Sequence, residues 1–187
     1  MRRIIIFIPF LFLLCACSAS TKTDELGIRD YYAALPQAKY QVSIEREYPD
    51  RMDTYRVEYA YQKDGESTIT VLEPKSIAGV KARLHAGKTE LEFESTRLAA
   101  GSLEAGDATP LSCLPQLMRV WASGEVSGVE QETENGTKLL LLVWNQTVEE
   151  SEQSYRTWFS RETYAPVRAE IYKDGTRILR LTFELIK

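Results

Sequence analysis

The polar and apolar positions of this chain change period twice. Leu26, Ile28, Tyr31, Tyr32 and Leu35 recur at helical spacing after Asp24, a residue suited to capping, and Pro36 closes the run. The spacing predicts a helix over 24–35. From residue 40 the period becomes two. Tyr40, Val42 and Ile44 alternate with Gln41, Ser43 and Glu45, and Tyr55, Val57, Tyr59 and Tyr61 alternate with Arg56, Glu58 and Ala60. Both read as half-buried strands. Asp64-Gly65 reads as a two-residue hairpin turn into a strand from Ser67 to Glu73, which Pro74 ends. Val80, Ala82 and Leu84 face one side of the next strand, opposite Lys81, Arg83 and His85. Ala86-Gly87 then turns the chain toward Leu91 and Phe93, flanked by Glu90, Glu92 and Glu94.

Leu98 to Thr109 is rich in Gly and Ala and reads as a connection. Pro110 is placed to open a second helix, in which Leu114, Leu117, Met118 and Trp121 share one face; Gly124 can stop it. Strand patterns return at 126–134 and 137–145, joined by Asn135-Gly136, then at 155–160, 167–172 and 177–185, the last two joined by Asp174-Gly175. Leu179, Leu181, Phe183 and Leu185 make one apolar face. Leu139 to Trp144 is apolar on both faces, which predicts a central strand covered on both sides, one of them by the helix over 110–123. The sum is mainly β (α+β): about nine or ten antiparallel strands and two helices. A meander that long must curl to bury one face, so the expected architecture is a curved sheet or half-open β-barrel with helices as a lid.

The N-terminus follows another pattern. Arg2 and Arg3 precede an apolar run from Ile4 to Leu14 broken only by Pro9. The run has the length of a signal-peptide core and falls short of the about 20 residues of a membrane-spanning helix. Leu14-Cys15-Ala16-Cys17 follows, and it resembles the bacterial lipobox: an aliphatic residue, two small residues, then the cysteine whose sulfur accepts diacylglycerol. Cys15 fits less well as acceptor, because Leu14 would then occupy the cleavage position. The resemblance implies a signal peptide over 1–16, a lipidated tether over 17–23, a single domain over 24–187, and attachment through Cys17 to the extracytoplasmic face of a cell-envelope membrane. An ordinary cleaved signal followed by secretion of a soluble protein is the alternative.

Composition narrows the chemistry. Removing Arg2 and Arg3 from 23 basic residues leaves 21 against 27 acidic ones, a net charge of −6 for the mature chain. With no strongly basic stretch, nucleic acid is not an expected partner. Cys15 leaves with the signal and Cys17 is alkylated on this reading. Cys113 then has no disulfide partner and reads as a small buried hydrophobe. His85 is the one histidine. It falls on the solvent side of its strand and no Gly-x-Ser-x-Gly elbow accompanies it, so a Ser-His-Asp hydrolase is not expected. No His/Cys/Asp cluster has metal-ligand spacing, and no cofactor is expected. Glu90, Glu92 and Glu94, like Glu130, Glu132 and Glu134, share strand faces. They could bind a cation or serve as acid and base, but an outward polar face that discourages edge pairing is the plainer reading.

The order of elements resembles the LolA/LolB/RseB lipoprotein-carrier superfamily over roughly residues 24–187. The features that carry it are the starting helix, Val71-Leu72-Glu73-Pro74 leading to Gly79-Val80-Lys81-Ala82, the middle helix with Trp121, and the closing pair Pro166–Ile171 and Asp174–Ile178. The resemblance implies a half-open barrel that holds acyl chains or lipidated groups, as carrier, acceptor or sensor, in a monomer with a lipid or lipoprotein ligand. Candidate cavity-lining residues are Val42, Ile44, Tyr55, Val57, Tyr59, Leu91, Phe93, Leu114, Trp121, Leu179, Leu181 and Phe183. A protein-docking or regulatory module with a solid core and no ligand is the alternative.

Overall fold

Alternating strands joined by tight turns produce one antiparallel sheet of eleven strands, ordered β6-β5-β4-β3-β2-β1-β11-β10-β9-β8-β7. The computed structural model describes residues 17–103, 106–148 and 150–186. The predicted signal over 1–16 lies outside them, as does the side chain of Cys17. The elements are α1 (Cys17–Ala34), β1 (Gln37–Glu47), β2 (Met52–Gln62), β3 (Ser67–Glu73), β4 (Lys81–His85), β5 (Lys88–Phe93), β6 (Thr96–Ala99), α2 (Cys113–Ser123), β7 (Gly128–Glu134), β8 (Thr137–Val148), β9 (Ser151–Ser160), β10 (Pro166–Lys173) and β11 (Thr176–Leu185). The first and last strands pair at the middle of the sheet, Val42 opposite Phe183 and Ile44 opposite Leu181. The edges β6 and β7 do not meet, so the curved sheet stays open. Among the described residues no helix is long and apolar enough to cross a membrane.

Local chemistry explains most turns. Asn135-Gly136, Asp174-Gly175 and Ala86-Gly87 have positive φ at both positions, as at Asn135 (50°) and Gly136 (79°). That is the backbone of the two-residue turn whose twist matches the flanking strands. Asp64-Gly65 departs from its expected form. Gly65 is not in the left-handed region, and the loop spans 63–66. The Ser67 hydroxyl closes it, accepting from the Gln62 amide at 2.9 Å.

Three further expectations are corrected. α1 begins at Cys17, not at Asp24. No Gly or Pro interrupts residues 18–23, and the Asp24 carboxylate pairs with Arg161 at 3.0 Å instead of capping. The connection expected over 98–109 starts with the end of an eleventh strand, β6. All four of its residues are exposed, so it carries no alternation of burial to read. β8 is second from the edge, not central. Both its faces are buried, but the outer one is covered by side chains. Leu139 and Leu141 cluster with Trp158, the Arg168 guanidinium lies 4.1 Å from the Trp158 ring centroid, and the indole N–H donates to Glu132 at 2.9 Å.

α1 and α2 fill the concave side. The predicted α2 face of Leu114, Leu117, Met118 and Trp121 is buried throughout. The Trp121 ring lies 4.9 Å from Tyr32 of α1 and 5.3 Å from Phe159 of β9, centroid to centroid. Gly124 ends α2 in extended backbone (φ −70°), so it is not needed there for a left-handed conformation. A Cβ would come within 2.6 Å of the Val120 carbonyl oxygen and 2.8 Å of the Trp144 ring.

Candidate functional site: a groove beside the second helix

The concave face divides into a filled centre and an open flank. Val42, Ile44, Val57, Leu114, Trp121, Leu179, Leu181 and Phe183, all expected to line a cavity, lie buried in one continuous core with Tyr32, Phe159 and Ile171. Tyr55 and Leu91 pack half-buried at its margin. Phe93, near the edge of the sheet, is 45% exposed, and Leu98 on the neighbouring strand is 64% exposed. Leu98 pairs with Leu91 and so shares its face. Tyr59 is buried as well, and it borders an open hollow.

That hollow is a groove of about 330 Å³ between α2 and strands β2–β5. Tyr59, Leu84, Leu103, Met118 and Ala122 give it apolar walls, and Ser67, Thr89 and Ser102 add hydroxyls. The alternation of β2 and β4 turns Tyr59 and Leu84 inward, and the helical period brings Pro115, Met118, Arg119 and Ala122 to the same flank of α2. The volume is at the small end of the about 300–1,000 Å³ typical of ligand sites. A second hollow of about 500 Å³ lies beside the end of α1, among Tyr31, Leu35, Ala38, Tyr40 and Ile186; Tyr61 and Gln62 border both. A third, of about 520 Å³, is walled by Gly136, Thr137 and Lys138 at the start of β8 and by Ser160, Arg161 and Glu162 at the end of β9, with no apolar side chain among them.

The segment that leads into α2 borders the first groove through Ser102 and Leu103 and is pinned by a buried polar network. The Tyr155 hydroxyl lies 2.7 Å from the Gln153 side-chain oxygen and 3.2 Å from that of Gln116, and it accepts from Gln146 at 2.8 Å. Gln116 donates to the Gly106 carbonyl at 3.2 Å and Gln153 to the Asp107 carboxylate at 3.2 Å. Lys173 completes the set, 2.6 Å from Asp107. Its hydrogen bond holds the Asp107 carboxyl below the usual carboxylate range, against a smaller opposing effect of desolvation. Gln116, Gln153 and Tyr155 do not stand out in the sequence. The only signal is a glutamine on the otherwise apolar face of α2.

The remaining candidates are structural. Glu92 pairs with Arg83 at 2.7 Å and Arg97 at 3.5 Å, and Glu132 and Glu134 pair with Arg168 at 3.5 and 2.6 Å. Among the described residues no group of three His, Cys, Asp or Glu is placed to hold a metal ion. His85 stands exposed at the end of β4, on the rim of the first groove. Cys113 is fully buried, and burial pushes its thiol up to about 12. The reactive species is the thiolate. Cys113 is therefore expected to resist iodoacetamide at pH 8 in the folded protein and to react once urea unfolds it. Mass spectrometry reads the difference, and equal labelling in both states would contradict the burial.

No protein-family model and no curated protein matches this sequence. Solved structures do match in shape. An uncharacterized conserved protein from Thermus thermophilus superposes with a TM-score of 0.55 at 9% identity, over 89% of this chain and 88% of that one. LprF from Mycobacterium bovis superposes at 0.50 and 9% identity, over 89% and 92%. A LolA superfamily protein from Nitrosomonas europaea matches at 0.46 and 14% identity, over 88% and 91%. At such identities the likeness is one of fold alone: the Thermus protein and LprF share the shape of this chain, an unclosed antiparallel sheet with helices lidding its concave side.

Proposed function

We propose that this chain is an extracytoplasmic lipoprotein, cut before Cys17 and anchored through lipid on that residue. Its domain over 24–187 binds an acyl chain or acylated ligand as a monomer, in the role of carrier, acceptor or sensor and not of enzyme. The observation that carries the reading is the groove between α2 and β2–β5, open to solvent and lined in part by Tyr59, Leu84, Leu103, Met118 and Ala122. The lipobox-like Leu14-Cys15-Ala16-Cys17 and the LolA/RseB-like order of elements support it. A ligand in this reading lies beside the helix and not under it, because Trp121 and Phe183 occupy the centre. That filled centre favours the second reading, a docking module whose core holds nothing.

One experiment separates the two. The chain expressed without residues 1–17 and purified without detergent is examined by native mass spectrometry, beside Leu84→Trp, which fills the groove. The binding reading expects a co-purified or added fatty acid at about one per chain, lost in Leu84→Trp. Wild-type protein that takes up no lipid, together with a reproducible crosslinked protein partner in cells, would establish the docking reading instead.

A further inference from the structure

The groove beside α2 has a charge pattern as well as an apolar wall. Its lining includes Lys63, His85, Lys88 and Arg119 and, among the described residues, no Asp or Glu. Composition does not produce this, since the chain carries 27 acidic residues against 23 basic ones.

Elsewhere many of the described arginines and lysines pair with carboxylates, while Arg29, Arg46, Lys75, Lys81, Lys138 and Arg156 have no such pair within 4.0 Å among the described residues. Arg83 pairs with Glu66 and Glu92, Arg168 with Glu132 and Glu134, Arg177 with Glu47 and Glu170, and Lys173 with Asp107. Among the described residues the groove cations Lys63, Lys88 and Arg119 likewise have no carboxylate partner. Lys63 donates to the Ala33 carbonyl at 2.6 Å, a neutral acceptor. Lys88 and Arg119 are exposed. They come from the start of β5 and from α2, two elements that both border this groove.

A groove with apolar side chains beneath cations that meet no carboxylate among the described residues matches an amphiphile of opposite charge. A cleft lined by one sign of charge also concentrates its field at the mouth. We propose that the groove takes an anionic phospholipid, with one acyl chain against Tyr59, Leu84 and Met118 and the phosphate-bearing head at Arg119 and Lys88. This rests on the acyl-binding reading above and adds the selection of head group.

The test uses the full chain in nanodiscs of phosphatidylcholine. It is titrated with lysophosphatidylglycerol or lysophosphatidylcholine of equal chain length, each carrying a diazirine on the tail, and crosslinks are mapped by mass spectrometry after illumination. Crosslinks are expected on the groove walls, with half-maximal yield for the anionic lipid at about tenfold lower concentration. Added salt should narrow that gap. The double variant Lys88→Gln/Arg119→Gln, two exposed positions, should bring the anionic lipid to the level of the zwitterionic one. Equal yields for the two lipids in wild type, or an undiminished gap in the double variant, overturn the head-group assignment while leaving acyl binding in place. Absence of groove crosslinks with either lipid overturns both.

Discussion

Trp121→Ala is expected to lower stability by about 3–5 kcal/mol, the range for truncating a buried Trp or Phe, seen as a lower urea midpoint. Trp121 is 2% exposed and its ring meets three others, Tyr32, Phe159 and Phe183, at 4.9, 5.3 and 5.8 Å between centroids. Its indole N–H donates to the Thr157 hydroxyl at 3.0 Å, and Thr157 is itself fully buried. Truncation therefore opens a cavity where α1, α2 and the sheet converge and removes the partner of a buried hydroxyl. Trp121→Phe, which keeps most of the volume and loses the donor, should cost clearly less. A loss below about 0.5 kcal/mol for Trp121→Ala, the usual size of a surface effect, would show that the lid is held elsewhere.

Tyr155→Phe is the second. It removes the hydroxyl that meets the side-chain oxygens of Gln116 and Gln153 within the core and the side-chain N–H of Gln146 beside it. A buried polar group left without its partner costs about 1–3 kcal/mol, and a network loses more than one bond suggests, so a loss of about 2–3 kcal/mol is expected. The more telling readout is local. Gln116 and Gln153 hold Gly106 and Asp107, in the segment that brings Leu103 to the groove. Hydrogen exchange should quicken over 106–112 and at the start of α2 before it changes in β1 or β11. Unchanged exchange there, with stability lost uniformly, would mean that the network supports the core and does not position the segment.

Both predictions rest on residues of different visibility in the sequence. Trp121 is legible, because it ends an i, i+3, i+4, i+7 apolar face on a short helix. Tyr155 and Gln153 are not, because strand alternation says which side they face and nothing about a helix glutamine waiting there. The strand periods of β1, β2, β4 and β11 are legible for the same local reason as Trp121. β8 is misplaced by its sequence because a run apolar on both faces reports that both are covered without saying by what. Here long side chains, Trp158 and Arg168, cover the outer one. β6 escapes because its residues are all exposed.

The sequence by itself determined the local half of this protein: the alternation that makes strands, the apolar stripe of α2, and the Asn135-Gly136 and Asp174-Gly175 turns that fold the chain back on itself. Each depends on residues a few positions apart, where spacing and backbone preference suffice. Only the tertiary structure decided that β1 closes against β11, that large side chains fill the concave centre, and that the open groove lies to one side of α2. Those outcomes depend on side-chain volumes summed across distant segments. The same is true of the cationic rim. Lys63, Lys88 and Arg119 are ordinary surface charges along the chain and become a site only where the curvature of the sheet brings their three segments around one groove.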